Sequence, residues 1–298
     1  MTLFEGFEAK DIDTSGARIH LRHGGAKDGP PLLLLHGNPM THVSWHLIAP
    51  RLAEHFYVVA ADLRGYGDSS APEPEADYSN YSFRAMGNDM IEVMETFGHK
   101  TFLLAGHDRG ARTAHRMALD HPGRIQKVAV LDILPSHHIW SNADASWAKK
   151  SWHWIFQIQP APFPEEMMSS VPAAWYMEKK LSKPGIGLDF MSKESFAEYV
   201  RCFTKKTIIG SCADYRACAT VDFDLDEADF KAGNKVKPPM LALWGAKSHT
   251  GTVWGNCLKI WEKYAENVTG GPVDCGHYVP EEKPDDVCDW FLKFFPRK

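Results

Sequence analysis

Gly106-His107-Asp108-Arg109-Gly110 decides the fold of this 298-residue chain. The apolar run 100–105 before it is typical of a buried parallel strand, and residues 111–121 after it carry apolar side chains at helical spacing. Strand, tight turn and helix form the context in which the pattern G-x-nucleophile-x-G makes a sharp elbow that presents its central side chain. The sequence therefore predicts that Asp108 is a nucleophile, although an ordinary turn whose aspartate caps its helix has the same residues.

An aspartate at the centre of this elbow favours a particular chemistry. Serine attacks a carbonyl carbon and forms an acyl-enzyme, whereas a carboxylate attacks a saturated carbon and becomes an ester of the protein itself. The natural leaving groups are then a halide ion or the oxygen of an opened epoxide.

Composition and charge exclude several classes of protein. With 44% hydrophobic and 24% charged residues the chain is an ordinary globular protein, and a formal net charge of -5 without a dense basic run argues against nucleic acid as a partner. The N-terminus has no signal-peptide pattern, no apolar run is long enough to span a bilayer, and the six cysteines have no zinc-type spacing. We expect a cytoplasmic protein with no membrane partner, no cofactor and no metal.

Strand-like and helix-like segments alternate along the chain, which is typical of the α/β class. The sequence predicts a mostly parallel eight-stranded sheet with helices on both faces. The predicted strands are 7–12, 18–22, 31–35, 57–61, 101–105, 128–131, 240–243 and 267–273, and the predicted helices include 46–53, 83–97, 111–121, 252–265 and 285–295.

This alternation stops between residue 134 and about residue 230. The segment is rich in Trp, Met, Lys and helix formers, and Pro160, Pro162 and Pro164 interrupt it. We predict a helical cap over 135–230, inserted into a core domain made of 1–134 and 231–298. A cap above the strand ends would close the site against water and strengthen the charge interactions inside it.

Several separate motifs follow one another as in the α/β-hydrolase family, which the chain resembles over its full length. His36-Gly37-Asn38-Pro39 follows a strand as the oxyanion loop of that family does, residues 62–69 resemble the turn after the next strand, and Gly276-His277 lies near the C-terminus. The resemblance implies the order nucleophile, acid, histidine and an α/β-hydrolase fold.

His277 is the candidate general base. After the first substitution a water must be deprotonated to attack the ester, and imidazole titrates in the useful pH range. One histidine among fifteen says little by itself, but His277 follows the last predicted strand and precedes a helix.

The acid that would orient this histidine is predicted to be Asp132. The usual position after the seventh strand, residues 243–249, holds no carboxylate, whereas Asp132 follows the apolar run 128–131, where some family members place their acid. A buried carboxylate bonded to the imidazole would fix its tautomer and stabilise the imidazolium form. The alternative is an aspartate that caps the following loop.

Arg109 and Arg112 indicate the charge of the substrate. Residues three apart on a helix lie on the same side, and a guanidinium group matches a carboxylate with two parallel hydrogen bonds. We expect the pair to hold a small carboxylic acid with its α-carbon near Asp108. The alternative is a pair of surface arginines in weak salt bridges.

Residues 108–112, 152–154 and 214–216 together resemble the fluoroacetate dehalogenases, and this resemblance spans the whole chain. It implies a homodimer, two arginines that bind the substrate carboxylate, and three residues that hold the halide; these are Arg109 and Arg112 and, for the halide, His153, Trp154 and Tyr215. Imidazole, indole and phenol groups can each donate a hydrogen bond to fluoride. Tryptophan and tyrosine in a cap also commonly serve in packing.

Asn38 departs from the pattern of the fluoroacetate dehalogenases, which often have an apolar aromatic residue after His-Gly. Haloalkane dehalogenases have asparagine here, and its side chain helps to hold the halide, but the residue after their nucleophile is typically tryptophan and not an arginine. Asn38 could therefore add a donor to the pocket or only shape the loop. The backbone N–H groups of Asn38 and Arg109 are the predicted oxyanion hole.

Three functions fit these residues. The first, which we favour, is hydrolysis of a short 2-haloacid by water, above all fluoroacetate to glycolate and fluoride, through an ester on Asp108. The second is epoxide hydrolysis with the same nucleophile, for which Tyr176, Tyr199 and Tyr215 could protonate the epoxide, although the arginines would then lack a purpose. The third is a binding protein on a hydrolase scaffold, which a missing nucleophile or base would favour.

Overall fold

Eight strands form a single sheet in the computed structural model, which describes residues 3–183 and 185–297. They are β1 (Glu8–Asp13), β2 (Arg18–Gly25), β3 (Pro31–Leu35), β4 (Tyr57–Ala61), β5 (Phe102–His107), β6 (Ile125–Leu131), β7 (Met240–Gly245) and β8 (Val268–Val273). Their order across the sheet is β1-β2-β4-β3-β5-β6-β7-β8, and β2 is antiparallel to both of its neighbours while the other pairs are parallel. The prediction of a mostly parallel eight-stranded sheet is confirmed.

The strand ends define where side chains can meet. β5 ends at His107 and β6 at Leu131, so Asp108 and Asp132 are the first residues after two adjacent parallel strands. Because the carboxyl ends of parallel strands lie at one edge of the sheet, these two aspartates lie on the same edge.

The sheet is buried on both faces. Alternate residues of each strand point to opposite sides, and in β4 Val59 and Ala61 join one apolar cluster while Val58 and Ala60 join another. The first cluster also contains Ala111 and Ala114 of the segment after the elbow. The prediction of helices on both faces is confirmed, because Phe291, near the C-terminus, packs in the second cluster.

Seven α-helices accompany the strands in the described part of the chain: α1 (Ala49–Leu52), α2 (Phe83–Thr96), α3 (Arg109–Asp120), α12 (His249–Trp254), α13 (Cys257–Trp261), α14 (Val279–Glu282) and α15 (Pro284–Phe294). The prediction of one helix over 252–265 is wrong, because Gly255 adopts a φ of 66° and separates α12 from α13. The helix predicted at 46–53 is also shorter, since a 3-10 helix (His42–Trp45) precedes α1. Among the described residues, no helix combines the length and apolar character needed to cross a membrane.

The remaining described helices lie between β6 and β7. They are α4 (Ser136–Asn142), α5 (Ala145–Lys150), α6 (Trp152–Gln157), α7 (Phe163–Ser169), α8 (Ala173–Leu181), α9 (Lys193–Cys202), α10 (Lys205–Ala219) and α11 (Val221–Ala232). α10 lies at the centre of this group, against α6, α7 and α11, and also contacts the 3-10 turn Ser79–Tyr81. The division of the chain into a core and a cap stays our proposal.

Gly210 of α10 offers a test of this packing. A Cβ on residue 210 would lie 2.6 Å from the Cα of Gly65, so Gly210→Ala forces two backbones apart. We expect the free energy of unfolding to fall by about 1–3 kcal/mol, as for other overpacked sites, measured by urea denaturation. Gly123→Ala is the matched control, because no atom lies within 4 Å of an added Cβ there. A loss at 210 no larger than at 123 would contradict the packing.

Candidate active site

Asp108 occupies a strained turn between β5 and α3. Its φ of 48° and ψ of -116° lie in a region that residues other than glycine rarely adopt. A Cβ on Gly106 would lie 2.4 Å from the carbonyl oxygen of Gly110, and a Cβ on Gly110 would lie 2.4 Å from that of His36. Glycine at both positions therefore allows the elbow to form and to present the carboxylate at the strand ends.

His277 and Asp132 lie beside this carboxylate. Nε2 of His277 is 3.7 Å from Oδ2 of Asp108, and its Nδ1 is 2.5 Å from Oδ2 of Asp132. The structure thus brings together the three residues that the sequence singled out as nucleophile, base and acid, with the imidazole between two carboxylates.

Asp132 is held by neighbours on both of its oxygens. Oδ1 accepts hydrogen bonds from the backbone N–H of Gly245 (2.8 Å) and the hydroxyl of Ser248 (2.7 Å). Burial opposes ionisation, but the hydrogen bond and charge attraction of His277 outweigh it and lower the pKa of Asp132. The ionised carboxylate accepts Nδ1–H of the imidazole and leaves Nε2 to face Asp108.

The carboxyl group of Asp108 is also held in its ionised form. Burial opposes ionisation, but electrostatic interactions with His277 and His107, and then with the guanidinium groups of Arg109 and Arg112, outweigh burial and hold the pKa of Asp108 below its ordinary value. Asp108 is therefore a carboxylate at neutral pH, which is the form that the predicted nucleophile requires.

Asn38 contacts Asp108 through its backbone. Its N–H donates to Oδ1 of Asp108 over 2.9 Å, where a donor for a developing oxyanion would be needed. Its side chain instead donates to the hydroxyl of Ser211 on α10 (2.8 Å). Of the two roles left open for the side chain, this contact favours shaping the loop.

Arg109 and Arg112 both lie beside the elbow, but only one of them pairs with a carboxylate among the described residues. Arg109 is fully buried and forms a two-pronged ion pair with the buried Asp214, whose Oδ2 lies 2.8 Å from Nε of Arg109. Arg112 has no such carboxylate among the described residues, and its Nη1 donates to the carbonyl of Leu134 (2.9 Å) and the hydroxyl of Ser136 (3.0 Å). Arg112 is therefore the arginine whose positive charge these contacts leave unbalanced.

Each arginine still has a buried donor to spare. Nη1 of Arg109 and Nε of Arg112 have no hydrogen-bond partner among the described residues. Buried N–H groups are nearly always satisfied in folded proteins, so these two donors near Asp108 are available to a water or a small polar ligand.

Aromatic side chains form the other wall of the site. The ring centroids of His153 and Tyr215 are 6.0 Å apart, and those of Trp154 and Tyr215 are 5.7 Å apart. The guanidinium groups lie over this wall, with Arg109 4.2 Å from the ring of Tyr215 and Arg112 4.5 Å from that of Trp154. The three residues predicted to hold a halide thus lie together, next to the arginines.

A cavity of about 180 Å³ lies beside the elbow, and its lining includes Asn38, Asp108, His153, Trp154 and His277. Arg109, Arg112 and Tyr215 lie behind these residues and are not among the described residues that line it. Burial, with the nearby positive charge of Lys180, holds the pKa of His153 well below its ordinary value. His153 is therefore a neutral imidazole with one N–H to donate at neutral pH.

The sequence did not single out several residues of this site. A ring nitrogen of His107 lies 2.8 Å from the carbonyl oxygen of His277 and anchors the loop that carries it. Asp214, His249 and Lys180 also adjoin the site, through the ion pair with Arg109 or the cavity lining. His249 is the last residue of 243–249, the stretch that holds no carboxylate, and Asp214 directly precedes Tyr215. Neither position in the sequence indicates which residue these side chains would contact.

Asp132, His249 and His277 also place possible metal-ligand atoms within 4.8 Å of one another. The carboxylate of Asp132 is already bonded to His277, Gly245 and Ser248. A metal ion at this point would have to displace those hydrogen bonds.

Comparison with known proteins gives a consistent result. The family model described as alpha/beta hydrolase fold matches residues 30–284. A fluoroacetate dehalogenase of Burkholderia sp is 41% identical over 98% of this chain and 95% of its own length, and a soluble epoxide hydrolase of Corynebacterium sp. (strain C12) is 32% identical over 94% of each. Among solved structures, a candidate alpha/beta hydrolase of Nostoc sp PCC 7120 is 45% identical over 98% of both chains, with a TM-score of 0.92.

Asp214→Asn tests the ion pair that supports the site. The change leaves the guanidinium of Arg109 buried without its counter-charge, and we expect the free energy of unfolding to fall by about 3 kcal/mol or more, measured by chemical denaturation. Glu227→Gln is the control, because it breaks an exposed pair with Lys231 that contributes about 1 kcal/mol at most. Equal losses in the two variants would contradict a structural role for the buried pair.

Proposed function

This chain belongs to the α/β-hydrolase family, and on that premise we propose that it hydrolyses short 2-haloacids, fluoroacetate above all, to 2-hydroxyacids and halide. The observation that carries the proposal is the meeting of an ionised, buried Asp108 with free guanidinium N–H donors of Arg109 and Arg112. A nucleophile for saturated carbon lies beside a place for a small anion. The 41% identity to a fluoroacetate dehalogenase supports the same substrate class.

In the first step, a carboxylate oxygen of Asp108 attacks C2 of the haloacid. An O–C bond forms, the carbon–halogen bond breaks, and the halide leaves with the bonding electrons. Arg112 and the free N–H of Arg109 hold the substrate carboxylate, so the reacting carbon lies next to the nucleophile.

The leaving halide requires stabilisation, and fluoride requires the most because it is small and strongly solvated. The proposed donors are the side-chain N–H groups of His153 and Trp154 and the hydroxyl of Tyr215, which lie together next to the arginines. Burial first, with the charge of Asp108, raises the pKa of Tyr215 well above its ordinary value, so the phenol keeps its proton for donation.

In the second step, Nε2 of His277 takes a proton from water, and the resulting hydroxide attacks the ester carbonyl of Asp108. The negative charge that develops on the ester oxygen is met by backbone N–H groups, of which that of Asn38 already contacts Oδ1 of Asp108. When the ester C–O bond breaks, the imidazolium returns its proton to the departing hydroxyacid. Asp132 stabilises the imidazolium throughout.

Epoxide hydrolysis is the second candidate, and the identity to a soluble epoxide hydrolase favours it. That reaction needs tyrosines that face the substrate. The hydroxyl of Tyr199 donates to Glu281, and Tyr176 stacks on Phe203, so of the three tyrosines considered only Tyr215 lies in the aromatic wall. The free arginine donors also have no role with a neutral epoxide, and haloacid hydrolysis accounts for more of the site.

One experiment separates these functions. The purified protein is incubated with fluoroacetate, chloroacetate and a small epoxide, and released fluoride, chloride and diol are measured. We expect fluoride and chloride; diol alone would favour an epoxide hydrolase, and binding without turnover of any of the three would favour a binding protein.

His277→Asn should separate the two steps. The variant can still form the ester, but without a base for water it should accumulate a carboxymethyl group on Asp108, visible as a mass increase in the intact protein after incubation with haloacetate. Asp108→Asn is the control and should show neither turnover nor label. Full turnover in either variant would contradict the mechanism.

Arg112→Lys should weaken carboxylate substrates selectively. Lysine keeps the charge but loses the planar pair of N–H donors, so we expect KM for haloacetate to rise by about tenfold, with a smaller change in kcat. Arg84→Lys, at an exposed pair with Asp120, is the matched control. Haloacetate kinetics that match wild type in both variants would remove Arg112 from the substrate site.

A further inference from the structure

Lys180 is a lysine of the site for which the proposed mechanism has no use. It lies near the end of α8, and its Nζ is buried without a hydrogen-bond partner among the described residues. It lines the cavity that contains Asp108 and His153, and it lies 5.9 Å from the ring of Trp152. A buried ammonium without a partner costs folding free energy, which a bound anion would offset.

Lys180 lies where two cavities meet. A second cavity of about 590 Å³ adjoins the first and shares Lys180, His249, His277 and Tyr278 with it. This outer cavity does not include Asp108 in its lining. A molecule that passed from the outer to the inner cavity would therefore pass the residues that both linings share, and Lys180 is one of them.

Other lysines of the outer cavity are already engaged with carboxylates. Nζ of Lys183 pairs with Glu282, and Nζ of Lys247 lies 2.7 Å from Asp274. Lys180 differs from both, because its Nζ pairs with no carboxylate in the described part of the chain.

Charge balance explains why such a group would matter. Around the nucleophile, the carboxylates of Asp108, Asp132 and Asp214 lie near the cations Arg109, Arg112 and Lys180. Lys150 and Lys179 also line the cavity, but their Nζ groups donate to Thr252 and Glu178. Without Lys180, the carboxylate of Asp108 would have one fewer positive charge nearby to offset it. A haloacid anion would then meet repulsion as it approached Asp108.

We propose that Lys180 is the specificity-determining cation of this site: its ammonium meets the carboxylate of an incoming haloacid between the two cavities and makes the pocket prefer anionic over neutral alkyl halides. The inference rests on the proposed function and adds a residue that selects the substrate by charge. Arg109 and Arg112 then hold the carboxylate once it is inside.

The charge of this ammonium depends on pH in the working range. Burial lowers the pKa of Lys180 to about 7, against the attraction of Asp108. The other titratable groups in the wall around it are His153, His249, His277 and Tyr278, with Lys150 and Lys179 of α5 and α8 also in the lining. The group is charged below pH 7 and loses its charge as pH rises through that value, so anion preference should fall with rising pH.

The test compares two substrates of equal size, chloroacetate and chloroacetamide, in wild type, Lys180→Met, Lys180→Arg and Lys259→Met. Lys259 is exposed and pairs with Glu262. Lys259→Met therefore changes the net charge of the protein by the same amount as Lys180→Met, but at a position that does not line the cavity. We expect Lys180→Met to lower kcat/KM for chloroacetate by about tenfold or more, mainly through KM, as for loss of one partly screened charge contact. Chloroacetamide should change little, Lys180→Arg should retain most of the preference, and Lys259→Met should match wild type.

The pH dependence provides a second measurement. The chloroacetate-to-chloroacetamide ratio of wild type should fall from about pH 6 to about pH 9, whereas that of Lys180→Met should be flat. Because Lys180→Met removes a buried charge, its melting temperature should not fall, which shows that the variant is folded. Equal losses with both substrates, or an unchanged ratio, would overturn the inference.

A failure of the proposed function would give a different result. If wild type releases no chloride from either substrate, the dehalogenase proposal fails, and charge selection is then measured by binding alone. Acetate should raise the melting temperature of wild type more than acetamide does, and this difference should disappear in Lys180→Met. The same difference in both proteins would overturn the role of Lys180 whatever the reaction.

Discussion

The buried ion pair of Arg109 and Asp214 is the interaction on which the arrangement of the site depends. Arg109 begins α3 directly after the elbow, Asp214 lies in α10, and both side chains are fully buried. A buried pair adds little net stability over apolar packing, but it is costly to separate, so it fixes the relative position of the elements that it joins. Tyr66 adds a hydrogen bond to the same carboxylate over 2.6 Å. The wall that carries Tyr215 is thereby set against the edge that carries Asp108.

Backbone strain at the sheet edge is the second constraint. Asp108 and Asp132 both have positive φ, at 48° and 53°, and each follows the last residue of its strand. Such conformations cost on the order of 1–3 kcal/mol each and persist only where their surroundings determine them. Here the hydrogen bonds of Asn38 to Asp108, and of Gly245 and Ser248 to Asp132, supply that support. The two carboxylates therefore face one imidazole from adjacent strands.

The sequence predicts those features of the fold and the site whose pattern lies within a short stretch of the chain. Short apolar runs predict the eight strands, and the glycine spacing predicts the elbow, because few other local structures produce these patterns. The partner of Arg109 lies 105 residues away, and no local pattern indicates which of many acidic residues it is. The break at Gly255 was missed because the apolar spacing continues past it, while the glycine adopts a left-handed conformation. Lys180 lies beside another lysine on α8, and only the folded structure separates the buried one from the exposed one.

Asn38 belongs to two parts of the molecule at once. Its backbone N–H faces the nucleophile, while its side chain donates to Ser211, whose hydroxyl in turn donates to Gln157 over 2.7 Å. Gln157 ends α6, the helix that carries His153 and Trp154. Three polar side chains thus link the proposed donor for the oxyanion to the proposed halide wall. In kinetic terms, we expect a displacement of α6 to affect both steps of the proposed reaction, because these bonds join the helix of His153 and Trp154 to the loop of Asn38.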